Sequence, residues 1–204
     1  MRGRFIALEG VDGAGKSTHA AMLADALRAE GHRVVAVREP GGTAVGERVR
    51  AMLLDGEAMT PWAEALLFAA ARAQLVDEVI RPALAAGSWV VADRFVDSSL
   101  AYQGAARGLG VDAVWAVNRP AVEGCLPDLA LVLDLDVRDA AERGAGRGAP
   151  DRIEREGDGL QQRVAMGYRE LAGRFPARVV LVPAAGDRDA VHARVMAALG
   201  GVLA

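Results

Sequence analysis

The sequence predicts an α/β fold, a three-layer sandwich whose five-stranded parallel sheet carries helices on both faces. Three observations lead there. Short apolar runs alternate with longer helical stretches along the chain, and the runs are nearly unbroken, as strands buried on both sides must be. The first run opens into a glycine loop and then a helix. Polar residues capable of chemistry follow the ends of the first three strands, where sheets of this kind bind ligands.

Taken in order, Arg4–Glu9 reads as the first strand. Gly10-Val11-Asp12-Gly13-Ala14-Gly15-Lys16-Ser17 then fits G-x-x-x-x-G-K-[ST] residue for residue, with Thr18 next. Glycines allow successive N–H groups to turn into one concavity, and the following helix adds the positive end of its dipole. Lys16 offers a mobile charge for outer phosphates, and the Ser17 hydroxyl can hold Mg²⁺. Among 24 lysines and arginines Lys16 is the sole lysine, an ammonium kept where a compact charge must follow a phosphate.

The helix runs from Lys16 through Arg28 and stops at Gly31. Arg33–Arg38 is the second strand, and Arg38–Gly42 is a loop by its Pro-Gly-Gly content. Thr43–Leu54 reads as a short helix. Thr60-Pro61 supplies a cap with proline in the first helical position, and a long helix runs from Trp62 to about Ala86 with a kink before Pro82. Ser88–Asp93 is the third strand, Ser98–Gly110 a polar, aromatic, glycine-bearing stretch, and Asp112–Glu123 a helix. Asp128–Asp136 is the fourth strand. The Arg/Gly-rich stretch at about 143–154 reads as a lid, with Arg143, Arg147 and Arg152 set around three glycines. A charged helix is expected over Asp151–Arg174, a fifth strand over Arg178–Val182 and a closing helix over Asp187–Leu199.

The length, 204 residues, fits a single domain over 1–204. A net charge of −3 argues against binding to nucleic-acid polymers. Cys125 is the one cysteine, so no internal disulfide can form and a reducing compartment fits; a buried, inert thiol is expected. The first strand starts at once, no apolar run is long enough to span a membrane, and a cytoplasmic protein is the expectation.

Three constellations suggest chemistry. Asp93-Arg94 ends the third strand, so the carboxylate can reach Mg²⁺ while the guanidinium forks onto a phosphate; the plain alternative is a charged strand end in solvent. Phe68 and Arg72, four apart, share one helix face. A flat ring beside a fixed guanidinium suits a nucleobase, although a core phenylalanine and a surface arginine would give the same pattern. The lid arginines could close over a transferring phosphoryl group or lie in a solvated loop. With no lysine beyond Lys16 an N-K-x-D guanine loop is impossible, and neither an H-R-D nor a D-F-G motif occurs.

GVDGAGKST, REPGG, LLFAAARAQL, ADRFVDSSLAYQG and a lid followed by DRIE, in that order, resemble the bacterial thymidylate kinases. The resemblance covers Phe5 to about Glu154. It implies a nucleoside monophosphate kinase fold, transfer of the γ-phosphoryl of ATP to thymidine 5′-monophosphate (dTMP) with Mg²⁺, and a homodimer. By matching position, Phe68 would stack on thymine, Arg72 would bond its O4, and Ser99 and Gln103 would read the far edge. Tyr102 would lie against the sugar. Arg94 and Arg50 would hold the acceptor phosphate, with Asp12 and Glu39 near the 3′-hydroxyl and the metal. One branch of the family carries an arginine in the phosphate loop. Gly13 at that position places this chain with the branch that uses lid arginines, with Arg147 the expected actor. Two alternatives stay open: a kinase for another nucleoside or monophosphate, and a P-loop ATPase that uses phosphate binding as a switch.

Overall fold

A computed structural model describes residues 3–145 and 149–203. Five parallel strands form one sheet: β1 (Phe5–Glu9), β2 (Val34–Arg38), β3 (Trp89–Asp93), β4 (Leu129–Asp134) and β5 (Val179–Pro183), in the order β2-β3-β1-β4-β5. Phe5, Ile6, Ala7 and Leu8 of the central strand are completely buried, as are Val90, Val91 and Ala92 beside them. Each large side chain buried there stabilises the fold by about 1.5–3 kcal/mol. The edge strands β2 and β5 are only partly covered.

Register sets the site. Leu8 pairs with Asp93, Arg38 with Asp93, and Glu9 with Val132, which brings the carboxyl ends of β1, β2 and β3 to one rim. The chain leaves β1 toward β2 and β3, then crosses to β4 and β5 on the other side. The crevice above β1 is therefore the switch point where such sheets take ligands.

Helices α1 (Lys16–Ala29), α2 (Ala44–Leu54) and α3 (Pro61–Leu75) follow the expected pattern. Thr60 accepts from Ala63 N at 3.4 Å with Pro61 in the first turn, and Thr43 caps α2 through Gly46 N at 2.9 Å. The kink before Pro82 takes the form of a π turn, Val76–Ile80, leading into α4 (Arg81–Ala85). Proline lacks an N–H and crowds the carbonyl four residues back, and the wider turn lets Arg81 N reach Val76 O.

One stretch that the sequence reading left without an element is helical, and one expected boundary moves. The stretch after Asp93 is helical: α5 (Val96–Ser99) continues as a π turn over Leu100–Ala106, followed by α6 (Val111–Val122). Its polar residues concealed a helix because they face a ligand cavity instead of a core. The charged helix does not begin at Asp151. After α7 (Val137–Gly144), a 3₁₀ turn over Glu154–Glu156 precedes α8 (Asp158–Arg174), and Gly157, with φ 78°, separates them. Asp151 instead folds its carboxylate onto Ile153 N and Glu154 N, a local turn that competes with helix. The last helix, α9, spans Arg188–Leu203.

Candidate active site

The loop between β1 and α1 is shaped by its glycines. Gly13 has φ 88°, and a Cβ there would meet Ala140 O at 1.9 Å, so the position takes no side chain at all. Gly15, in the left-handed region at φ 96°, caps α1 and turns the chain into the helix. Lys16 is buried, its ammonium donating to Val11 O at 2.7 Å and lying 3.8 Å from the Asp12 carboxylate. Burial, then the charge of Arg94, lowers its pKa to about 8 against the opposing pull of Asp12, Asp93 and Glu9.

The Ser17 hydroxyl donates to Asp93 at 2.5 Å. A hydroxyl and a carboxylate side by side below the loop are hard oxygen donors of the kind Mg²⁺ takes alongside phosphates and water. Among the described residues no group of three or more His, Cys, Asp and Glu side chains is arranged for a metal.

Arg94 follows β3 with φ 70°, a conformation costing a non-glycine residue of order 1–3 kcal/mol. Bonds hold it there. Its N–H donates to Leu8 O at 3.0 Å, and its guanidinium donates to Gly10 O and the Ser98 hydroxyl at 3.1 Å, to the Tyr102 hydroxyl at 3.2 Å and to Asp12. Asp12 also accepts from Tyr102 at 3.0 Å and Gln161 at 2.8 Å. Burial pushes its pKa up, but Arg94 and Lys16 outweigh that and hold it at about 2.

Beneath this layer lies Glu9, completely buried and not singled out by any motif. It accepts from Phe95 N at 2.8 Å, Ser98 at 2.6 Å and Tyr168 at 2.8 Å. Burial, then the charge of Asp97, lifts its pKa to about 7, against Ser98, Arg94 and Tyr168. Glu9 thus braces from behind the hydroxyls that hold Arg94.

The residues expected to meet a base are arranged differently. A cavity of about 390 Å³ joins Asp12, Lys16, Ser17, Asp93 and Arg94 to Glu39, Arg50, Phe68, Ser99, Tyr102 and Gln103 in one volume. Arg72 is not among its lining residues. It is 1% exposed, and its five N–H groups meet Glu39 twice (3.0 and 2.5 Å), Ser99 (3.0 Å), Asn118 and Phe95 O (3.2 Å). The reading as a surface arginine is therefore wrong: a cation in so apolar a helix is held by a carboxylate, as burial demands. To bond a base, Arg72 would have to surrender one of these partners. Glu39 gives Arg72 one oxygen; the other is buried and has no partner among the described residues. Burial raises the Glu39 pKa, with Arg72 opposing. Arg50 donates to Pro40 O at 2.9 Å.

The lid arginines are dispersed. Arg143 donates to Ala184 O at 3.0 Å and Gly186 O at 2.9 Å. Arg152 turns inward, to Leu53 O at 2.8 Å and Glu64 at 2.6 Å. Arg147 lies outside the described residues. Residues that the sequence reading missed are Glu9, Glu64, Gln161 and Tyr168. Glu64 alone left a signal, an acid on the apolar face of α3.

The chain as a whole has counterparts. A family model described as thymidylate kinase matches residues 8–195. A thymidylate kinase of Pelotomaculum thermopropionicum is 51% identical over 207 residues, covering 100% of this chain and 95% of that protein. One from Rhizorhabdus wittichii is 50% identical over 208 residues, with 100% of both chains covered. The crystal structure of thymidylate kinase from Ehrlichia chaffeensis superposes with a TM-score of 0.80 at 30% identity, over 98% of this chain and 99% of that one. With a phosphate loop and a rim arginine lining one cavity at the sheet's edge, and a family match along nearly its whole length, the chain belongs to the thymidylate kinase family.

Proposed function

We propose that this chain transfers the γ-phosphoryl group of ATP to dTMP, giving dTDP for dTTP synthesis. The observation that carries the reading is the single cavity that runs from Lys16 and Ser17 to Phe68, Ser99, Tyr102 and Gln103. It offers a donor phosphate chain and an acceptor nucleotide one continuous space.

A phosphate monoester has its second pKa near ~6, so the acceptor is mostly dianionic at neutral pH and needs no base. The work is to hold two polyanions together. In this reading Gly10–Thr18 cradle the donor phosphates, Lys16 spans its outer ones, and Arg94, with Arg50, takes the acceptor phosphate. Asp12, held ionised, keeps Arg94 aimed until the phosphate arrives. The partnerless oxygen of Glu39 is an acceptor suited to a sugar hydroxyl. Phe68 is the stacking surface for the base, with Ser99 and Gln103 at its edge and Tyr102 beside the sugar. Ser17 and Asp93 would hold Mg²⁺, which would neutralise charge on the phosphates. Arg147 is the lid arginine proposed to meet the transferring group.

Further readings attach to this one. Val45 and Met52 on α2, and Trp62 and Leu66 on α3, are each 42–54% exposed and spaced to share a helix face. They support a homodimer through that surface. No helix among the described residues is long and apolar enough to cross a membrane. A lone, buried cysteine supports a cytoplasmic setting, and the charge of −3 supports small-molecule partners over nucleic-acid polymers.

The test is incubation with ATP–Mg²⁺ and a panel of nucleosides and monophosphates, with the phosphorylated product identified by mass. Conversion of dTMP to dTDP is expected. Hydrolysis of ATP without any phosphorylated acceptor would overturn the reading.

A further inference from the structure

Glu64 sits on α3, 1% exposed, and takes no part in the phosphate machinery. It accepts from Arg107 at 2.5 and 2.8 Å, from Arg152 at 2.6 Å, and from the Gln103 side-chain nitrogen at 2.8 Å. Glu156 closes the cluster by accepting from Arg107 at 2.9 and 2.6 Å. The fork of Arg107 and a single bond from Arg152 use Glu64 as an acceptor, and an acceptor decides which way a neighbouring amide points. Gln103 must turn its NH₂ to Glu64, and its oxygen is the atom left for the cavity that Gln103 lines.

We propose that Glu64 is a specificity-positioning residue: by locking Gln103 with its carbonyl oxygen toward the base, it makes the pocket select a pyrimidine that donates an N–H. Thymine and uracil carry an imide N–H at ring position 3; cytosine has a lone pair there. An acceptor fixed against that edge pairs with the first two and leaves the third facing it with no proton between them, an arrangement that rejects strongly because a buried polar group goes unpaired. Arg107 and Arg152 make the orientation rigid: Arg152 ties its own segment to Glu64 directly, and Glu156 joins the cluster through Arg107. The inference rests on the pyrimidine monophosphate reading of the site.

The variant E64Q inverts the device. Its oxygen is held best where Arg107 Nη2 and Arg152 Nη2 both donate, so its NH₂ takes the place of Oε1, facing residue 103 and giving up the Arg107 Nε bond, and Gln103 must turn its oxygen inward and offer its NH₂ to the base. E64D keeps an acceptor-only partner at shorter reach. The experiment is kcat/KM for dTMP, dUMP and dCMP with ATP–Mg²⁺ in wild type, E64Q and E64D, with a melting curve for each. In E64Q the dTMP/dCMP ratio is expected to fall at least ~10-fold, carried by KM, while the dTMP/dUMP ratio holds; in E64D the dTMP/dCMP ratio stays within about threefold of wild type. General damage to the fold would lower all three substrates together. A folded E64Q with the wild-type dTMP/dCMP ratio overturns the inference, as does loss of that ratio in E64D, which decides alone if E64Q does not fold. A wild-type protein that phosphorylates no pyrimidine monophosphate overturns the functional reading and this inference with it.

Discussion

The two ends of the cavity are built on opposite plans. At the phosphate end, Lys16 and Asp12 come from one loop and Arg94 from the end of β3, and both cations meet the Asp12 carboxylate in a pattern that an incoming anion can rearrange. At the base end, Arg72 has all five donors committed and Glu64 faces two arginines, so the geometry is fixed before any ligand arrives. A phosphate is recognised chiefly by charge, and charge tolerates rearrangement. A base edge is recognised by the direction of individual hydrogen bonds, which demands rigid groups already in place.

The largest effect that would sharpen this contrast is at Lys16. K16A is expected to lower kcat by roughly 10³-fold or more while the melting temperature stays within a few degrees of wild type. Substantial residual activity would mean the loop is not the phosphoryl-transfer site.

Arg72 and Arg94 make the second comparison. R72A leaves Glu39 buried without its cation, and stability should drop by about 3–5 kcal/mol, read as a lower denaturant midpoint. R94A relieves a left-handed arginine of its bonds near a more open rim, so its loss should register mainly in kcat/KM. Equal stability losses in the two variants would break the contrast drawn here.

The smallest effect concerns Glu9. Its pKa of about 7 in the fold stands above the ordinary 4.5, so across that interval the folded chain binds the proton more tightly than the unfolded one. The contribution of Glu9 to stability is thus full below about pH 4.5 and is lost as pH climbs through about 7, amounting to no more than about 3 kcal/mol. E9Q should flatten the melting temperature between those values. An unchanged pH slope in E9Q would remove Glu9 as its source.

How far the sequence carried depends on distance along the chain. The strands were legible within one or two residues because burial on both faces leaves an unbroken apolar run. The helix over Val96–Ala106 was not, since Ser99, Tyr102 and Gln103, which line a cavity, break up the apolar pattern of Val96, Leu100 and Ala101 on its buried side. Arg72 could be named as a cation in an apolar face, but not its partners, which come from residues 39, 95, 99 and 118.

Alone, the sequence determined the sheet, the phosphate loop and the family, because periodicity, a contiguous motif and glycine positions are local properties of a chain. Only the tertiary structure decided that Arg152 turns to Glu64, that Glu9 braces the hydroxyls around Arg94 from below, and that the Gln103 side-chain nitrogen donates to Glu64. Hydrogen bonds between residues separated by 39 to 89 positions are made by the fold, and no spacing in the sequence announces them.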